Sequence, residues 1–252
     1  RGLGDVYKRQ ATGHYARIMQ LPNGRYTIRN SVTAAKDQTY ALYNLTQEQL
    51  SHTLMPVGDY DKPHIRQIAE EIGLPVATKH DSQDICFVRD GDYARFIEEY
   101  TGHSFPPGNF VDRQGRVLGR HKGIIRYTIG QRKGLGVAMA HPVYVTGVDA
   151  ANNTVHLGEA EDLTATALTA DDWIWSAPAD RMEAELDAGG IRVGAKYRYR
   201  QKDQAATLTR GEDGQMLLTF DEPQRAIAPG QAVVVYRGDV VLGGGTVTGA
   251  LK

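Results

Sequence analysis

The density of turn signals in the second half of the chain is the feature that most narrows its fold. After Pro106-Pro107, short strand-like runs alternate with turns rich in Gly, Asn and Asp: Asp112-Arg-Gln-Gly115, Asp149-Ala-Ala-Asn-Asn153, Gly211-Glu-Asp-Gly214 and Arg237-Gly-Asp239. Turns that close together leave no room for βαβ crossovers, so they predict antiparallel sheet or barrel. Glycine supports the same reading, with 28 of 252 residues against a usual share of about 7%. Residues 177–190 form a softer stretch that reads as an exposed excursion between strands.

The first third has a different texture. Leu21-Pro-Asn-Gly24 is a turn leading into an alternating strand at 25–29. Thr46-Gln-Glu-Gln49 has capping-box spacing and starts a short helix that stops before Pro56. Asp61 caps a second helix with Pro63 in its first turn, Ile65, Ile68, Ala69 and Ile72 on one face, and Gly73 and Pro75 at its end. A third helix repeats that spacing at Tyr93, Phe96, Ile97 and Tyr100 and closes at Gly102. Both stripes read as core-facing.

Charge and cysteine content exclude several classes. The formal net charge is −1, so a nucleic-acid partner requires the cations to gather on one face. The longest apolar runs span about five residues, as at 232–236, far short of a membrane span. One cysteine excludes an internal disulfide and a Cys-rich zinc site, and fits a reducing, cytoplasmic location. The eight histidines show no metal-ligand spacing. Residues 1–10 carry neither helical nor strand period and are expected to be a non-native leader.

Three groups of residues can carry chemistry. Cys86 follows a polar run, Asp81-Ser-Gln-Asp-Ile-Cys86, that reads as a surface loop before the third helix. A lone cysteine is most often a small buried hydrophobe, and Asp81 and Asp84 oppose a thiolate unless a cation such as Lys79 or His80 is near. In Lys196-Tyr-Arg-Tyr-Arg-Gln-Lys202, strand period two puts Lys196, Arg198, Arg200 and Lys202 on one face and Tyr197 and Tyr199 on the other. Such a strand is either a solvated barrel face or a phosphate-backbone track with tyrosines for stacking. Arg120-His-Lys122 and Gly130-Gln-Arg-Lys-Gly-Leu-Gly136 form a second basic cluster. There, glycine-rich backbone can face a phosphate or simply make a tight turn.

Six segments together carry a resemblance: Ala11-Thr-Gly-His-Tyr-Ala-Arg17, Lys36-Asp-Gln38, Asp81-Ser-Gln-Asp-Ile-Cys86-Phe, Gly130-Gln-Arg-Lys-Gly-Leu-Gly136, Tyr197-Arg-Tyr-Arg-Gln201, and Phe220-Asp-Glu-Pro223 with Pro229-Gly-Gln231. Collinear over about 240 residues, they resemble the bacterial tRNA-specific 2-thiouridylases. The resemblance implies an α/β remnant of an ATP-pyrophosphatase domain (adenine nucleotide alpha hydrolase-like) at 11–105, a small β-rich central domain at 106–165, and a C-terminal antiparallel β-barrel at 166–252. It implies ATP-dependent transfer of persulfide sulfur to C2 of the wobble uridine in the tRNA anticodon arm, with Mg-ATP activating the C2 oxygen and a donor protein charging the cysteine. By motif position, Cys86 resembles the persulfide carrier and Gly13 an ATP-contacting glycine. His14, Lys36, Asp37, Gln38, Arg198, Tyr199 and Gln231 resemble tRNA contacts. A monomer without membrane attachment is the expected state.

The chain departs from that family in lacking the Ser-Gly-Gly-Val-Asp-Ser type of ATP loop and the first cysteine that partners Cys86. These 252 residues are therefore expected to be inactive in thiolation when tested alone, and ATP-dependent formation of 2-thiouridine by them would refute this. Two other classes fit the residues. One is a non-catalytic RNA-binding module with an OB-like barrel and an inert, buried Cys86. The other is a thiol hydrolase pairing Cys86 with a histidine such as His80 or His14.

Overall fold

The computed structural model describes residues 9–75, 88, 90–211 and 213–252. Among these, the chain divides into two compact units, one drawn from 1–78, 166–223 and 229–252, the other from 79–165 and 224–228. No helix of the described residues is long and apolar enough to cross a membrane.

In chain order the first unit begins with β1 (Gln10–Ala11), β2 (Ala16–Gln20), β3 (Tyr26–Asn30), α1 (Thr39–Leu42), α2 (Gln47–Ser51), β4 (Thr53–Leu54) and α3 (Lys62–Glu71). The helix starts follow their side chains. Thr46 accepts from the Gln49 amide while Gln49 reaches back to the Thr46 amide, completing the capping box of α2. Asp61 accepts from the His64 amide at 2.9 Å at the head of α3, with Pro63 in the first turn. β1 and β4 pair in parallel, whereas β2 and β3 form an antiparallel hairpin.

The second unit holds α4 (Tyr93–Thr101), β5 (Gly108–Val111), β6 (Val117–His121), β7 (Tyr144–Asp149) and β8 (Thr154–Gly158), the strands ordered β6-β5-β8-β7. Gly102 ends α4 in the left-handed conformation. The expectation of purely antiparallel pairing fails here, because β5 and β8 run parallel. The connection between them is made of β6, β7 and loops, so a parallel pair forms without the crossover helix on which that expectation rested.

The chain then supplies β9 (Thr164–Trp175), α5 (Ala179–Asp187), β10 (Ile191–Lys196), β11 (Gln204–Arg210), β12 (Met216–Arg225), β13 (Ala232–Arg237) and β14 (Val240–Leu251). The order β13-β10-β11-β12-β9-β14, with β14 returning to β13, closes a six-stranded antiparallel barrel. β14 also meets β3, where Val240 is opposite Arg29, so the β2–β3 hairpin extends the barrel sheet. β13 is buried on both faces. Val234 and Tyr236 join a cluster with Ile28, Leu42, Leu50 and Met55, while Val233 and Val235 alternate to the opposite side, toward the barrel interior.

Three sequence expectations are corrected. The 177–190 excursion contains α5, which buries Met182 and Leu186, one turn apart, in the first unit. The stripes on α3 and α4 are not core: no α3 residue is fully buried and Ile72 is 65% exposed. On α4 the buried residue is Ala94, and Tyr100 is 82% exposed. The strand expected through 202 ends at Lys196. Tyr197 turns inward against Phe220, its amide donates to the Gln201 side chain, and the Gln201 amide donates to the Arg198 carbonyl. These bonds close 197–203 into a loop, and the four cations do not share a strand face.

Steric limits on β14 are severe. A Cβ on Gly244 would lie 2.5 Å from the Val233 carbonyl oxygen and 2.6 Å from the Tyr43 ring. Gly244→Ala is expected to lower the unfolding free energy in urea by about 1–3 kcal/mol. Gly13→Ala, where a Cβ meets nothing within 4 Å, should change it by less than about 0.5 kcal/mol.

Candidate nucleic-acid interface

The motif-bearing residues of the first unit are linked through short hydrogen bonds. His14 exchanges a hydrogen bond with Thr12 through Nδ1 at 2.7 Å. The Tyr15 amide donates to Gln38 Oε1 at 2.8 Å, and the Gln38 amide donates back to the Tyr15 carbonyl at 2.9 Å. Asp37 accepts from the amides of Ser31 (2.9 Å) and Thr39 (3.2 Å) and from the Thr39 hydroxyl. Asp37 and Gln38 thus hold the backbone around Lys36, which stands exposed at the end of a single 3-10 turn, Ala34–Lys36.

Tyr40 joins this segment to the barrel. Its hydroxyl donates to the Ala232 carbonyl at 2.7 Å, and its ring meets Tyr199 edge-on with centroids 6.2 Å apart. Thr39, fully buried, shares a hydrogen bond with the Tyr236 hydroxyl at 3.3 Å. The antiparallel register explains why the same place receives the 197–203 loop. Lys196 of β10 lies opposite Val234 of β13, so the chain leaving β10 runs toward Ala232 and Gln231. Arg198, Tyr199, Arg200, Lys202 and Gln231 are exposed there, and the Lys196 ammonium sits 4.9 Å from the Tyr236 ring centroid. Lys36–Gln38, Arg198–Tyr199 and Gln231 therefore converge from three separate parts of the sequence.

Three family models divide the chain in order: a tRNA methyl transferase HUP domain at 4–90, a tRNA methyl transferase PRC-barrel domain at 94–159, and an aminomethyltransferase beta-barrel domain at 165–247. The chain is 53% identical over 237 residues to a protein of Lachnoclostridium phytofermentans named tRNA-specific 2-thiouridylase MnmA, covering 94% of this chain and 65% of that one. It is 52% identical over 238 residues to the protein so named in Acetivibrio thermocellus, with the same coverage. It is 48% identical over 251 residues to that of Clostridium perfringens, covering all of this chain and 67% of the relative. The chain belongs to the tRNA-specific 2-thiouridylase family. It spans 65% of the length of the first two of these relatives.

Within that family frame, Cys86 falls outside the described residues, as do Lys79, His80 and the rest of its motif up to residue 87. Gly13 is exposed, and its backbone can be approached closely. The Arg120-His-Lys122 cluster loses its middle member. His121 is buried, its Nδ1 accepts from the amides of Gly108 and Gly123, and its Nε2 therefore donates to the Asn153 carbonyl. It is a neutral structural residue.

Sequence reasoning missed two parts of this surface. Tyr40 and Tyr236 are the joint between segments, and nothing in one dimension pairs residues so far apart. Lys62 and Arg66, one turn apart on α3, also belong here. Burial raises the Tyr15 phenol against the opposing pull of Lys36 and then Arg66, and burial lowers the Lys62 ammonium, with repulsion from Lys36 and Arg66 adding to it. The cation spacing at i and i+4 was the available signal.

Burial pushes the Tyr40 phenol up to about 12; Tyr43 adds to the rise and Arg198 opposes it. A tyrosine whose folded value exceeds the unfolded value near 10 adds stability that is complete below pH 10 and is lost as pH climbs toward 12. Tyr40→Phe should flatten the alkaline fall in stability across that window. At neutral pH it should cost about 0.5–1.5 kcal/mol for the lost bond to Ala232, read by urea unfolding.

Proposed function

We propose that this chain is the tRNA-gripping and sulfur-carrying portion of an enzyme that replaces the C2 oxygen of the wobble uridine with sulfur, giving 2-thiouridine. The observation that supports this most is the convergence on Tyr40. Lys36–Gln38, Arg198–Tyr199 and Gln231 come together in one compact unit, with exposed cations beside an exposed aromatic ring. An anticodon loop suits such a surface, since its unpaired bases can splay and stack while its phosphates meet lysine and arginine. Half identity to proteins named as 2-thiouridylases, across nearly the whole chain, supports sulfur transfer as the reaction.

The roles divide by chemistry. Lys36, Arg198, Arg200 and Lys202 take phosphates, Tyr199 offers a ring for stacking, and Gln231 and His14 offer hydrogen bonds. Asp37 and Gln38 act through the backbone they hold as well as through any direct contact. Cys86 carries the outer persulfide sulfur, supplied by a separate donor protein. That sulfur bonds to C2 as the adenylated C2 oxygen leaves with AMP, and a second thiol then attacks the Cys86 sulfur, breaking the S–S bond and leaving a disulfide that an external thiol reduces. ATP would turn the C2 oxygen into a leaving group, and Gly13, exposed with open space around it, is the described residue we assign to its contact.

Two measurements test this reading. Lys36→Ala and Arg198→Ala should each reduce the slope of log affinity against log salt for a tRNA transcript by about 0.7–0.9. Unchanged slopes would remove this surface from the tRNA interface. Exposure to a cysteine desulfurase and free cysteine should add one sulfur atom to the wild-type chain by intact mass and none to Cys86→Ser. A thiol that stays unmodified while tRNA binds normally would leave a pure RNA-binding module.

A further inference from the structure

Lys196 differs from the other cations around Tyr40. It is the last residue of β10 and is partly buried, whereas Arg198, Arg200 and Lys202 in the loop that follows are exposed. Its ammonium lies 4.9 Å from the Tyr236 ring centroid, and among the described residues it has no carboxylate within 4 Å. The sheet itself makes this pairing. β10 and β13 run antiparallel with Lys196 opposite Val234 and Gly194 opposite Tyr236, so Lys196 and Tyr236 are diagonal neighbours on one face, a spacing that a long side chain spans. Ala195 and Tyr197, on either side of Lys196, are buried and alternate to the other face. Gly194 adds no side chain opposite the ring. The Asp203 carboxylate takes that space, 2.5 Å from where a Cβ on Gly194 would lie, without forming an ion pair with Lys196.

Tyr236 is itself fixed. It is 1% exposed, and its hydroxyl shares a hydrogen bond with the buried Thr39 at 3.3 Å. The Thr39 hydroxyl also meets the Asp37 carboxylate and, at 3.1 Å, Asn30 Oδ1. Lys196 therefore rests on a ring whose far end is tied to the residues that follow Lys36. One side chain of β13 joins the end of β10 to the 36–39 segment.

This seat matters for binding an anion. A lysine free in solvent gives up rotamer freedom when it grips a phosphate, whereas a seated one has given up much of it on folding. The ring attracts the ammonium through its quadrupole and leaves the positive charge intact. The neighbours indicate which anion would come. The chain passes directly from Lys196 through Tyr197 and Arg198 to Tyr199, whose exposed ring meets Tyr40 edge-on. A cation beside a ring open to solvent suits a nucleic-acid strand, phosphate on the one and base on the other.

We propose that Lys196 is a further phosphate-binding residue of the tRNA surface and that Tyr236 is the positioning residue that seats it and ties it to the 36–39 segment. This rests on the tRNA reading above, and the experiment separates the two. Affinity for a tRNA transcript carrying uridine at the wobble position is measured across a salt series for the wild-type chain, Lys196→Met, Lys196→Arg, Tyr236→Phe and Arg198→Ala. Lys196→Met keeps an apolar stem on the ring and removes the charge. Its melting temperature should stay near wild type while the salt slope falls by about 0.7–0.9. Lys196→Arg should keep the slope. Tyr236→Phe retains the ring and loses the bond to Thr39, so affinity should weaken about threefold at an unchanged slope. A normal slope in Lys196→Met beside a reduced one in Arg198→Ala would overturn the phosphate contact and leave the tRNA reading standing. Undiminished affinity in Tyr236→Phe would overturn the positioning role. Absence of tRNA binding by the wild-type chain would overturn both the contact and the reading. Saturable binding of inorganic phosphate that is lost in Lys196→Met, with tRNA slopes unchanged, would assign Lys196 to a small oxyanion and overturn the RNA contact.

Discussion

Strand β13 is held on both sides at once, and the remaining structure follows from that. Along one edge it pairs with β10 and along the other with β14, closing the barrel. Val233 and Val235 alternate toward the interior, while Val234 and Tyr236 carry the packing of the N-terminal segment. A strand with no solvated face cannot slip by one residue without exchanging both sets of side chains. Its register therefore fixes where the 197–203 loop emerges and where Tyr40 finds the Ala232 carbonyl. The glycines of β14 tighten the same arrangement, since a Cβ on Gly243, Gly244 or Gly245 would strike a carbonyl of an adjacent strand.

That constraint changes how the basic residues work. A strand with four cations in line would hold them at a fixed pitch on a flat face. A loop instead leaves Arg198, Tyr199, Arg200 and Lys202 exposed off the strand, with Tyr197 as its buried anchor. Such an arrangement suits a curved single-stranded backbone, where phosphates turn and bases flare outward. The positions of Asp37 and Gln38 fit the same division of labour. Both are occupied in holding backbone, so their acceptors shape the segment that presents Lys36.

Local rules were legible where local atoms decide the outcome. The capping box at Thr46, the Asp61 cap and the Gly102 stop all form as their side chains dictate. The apolar run at 232–236 is the trace of a strand buried on both faces. Legibility ended where a residue chose between partners distant in sequence. Tyr197 keeps the inward alternation of β10 beside Phe220, but Gln201 takes its amide and returns its own to the Arg198 carbonyl, which ends the strand at Lys196. The stripes of α3 and α4 show which face is apolar but carry no information on what covers it. His121 reads as a cation beside Arg120 and Lys122 until two amides are found pointing at one of its nitrogens. The motifs identified the family and named residues for the proposed interface. Their convergence around Tyr40 needed three dimensions.

Hydrogen exchange with and without a tRNA transcript tests most directly whether β13 unites these segments into one binding surface. The account predicts that tRNA slows exchange together in 36–40, in 197–202 and at Gln231, and that Tyr40→Phe weakens the protection in all three. Protection confined to one of these stretches, or an undiminished pattern in Tyr40→Phe, would contradict it.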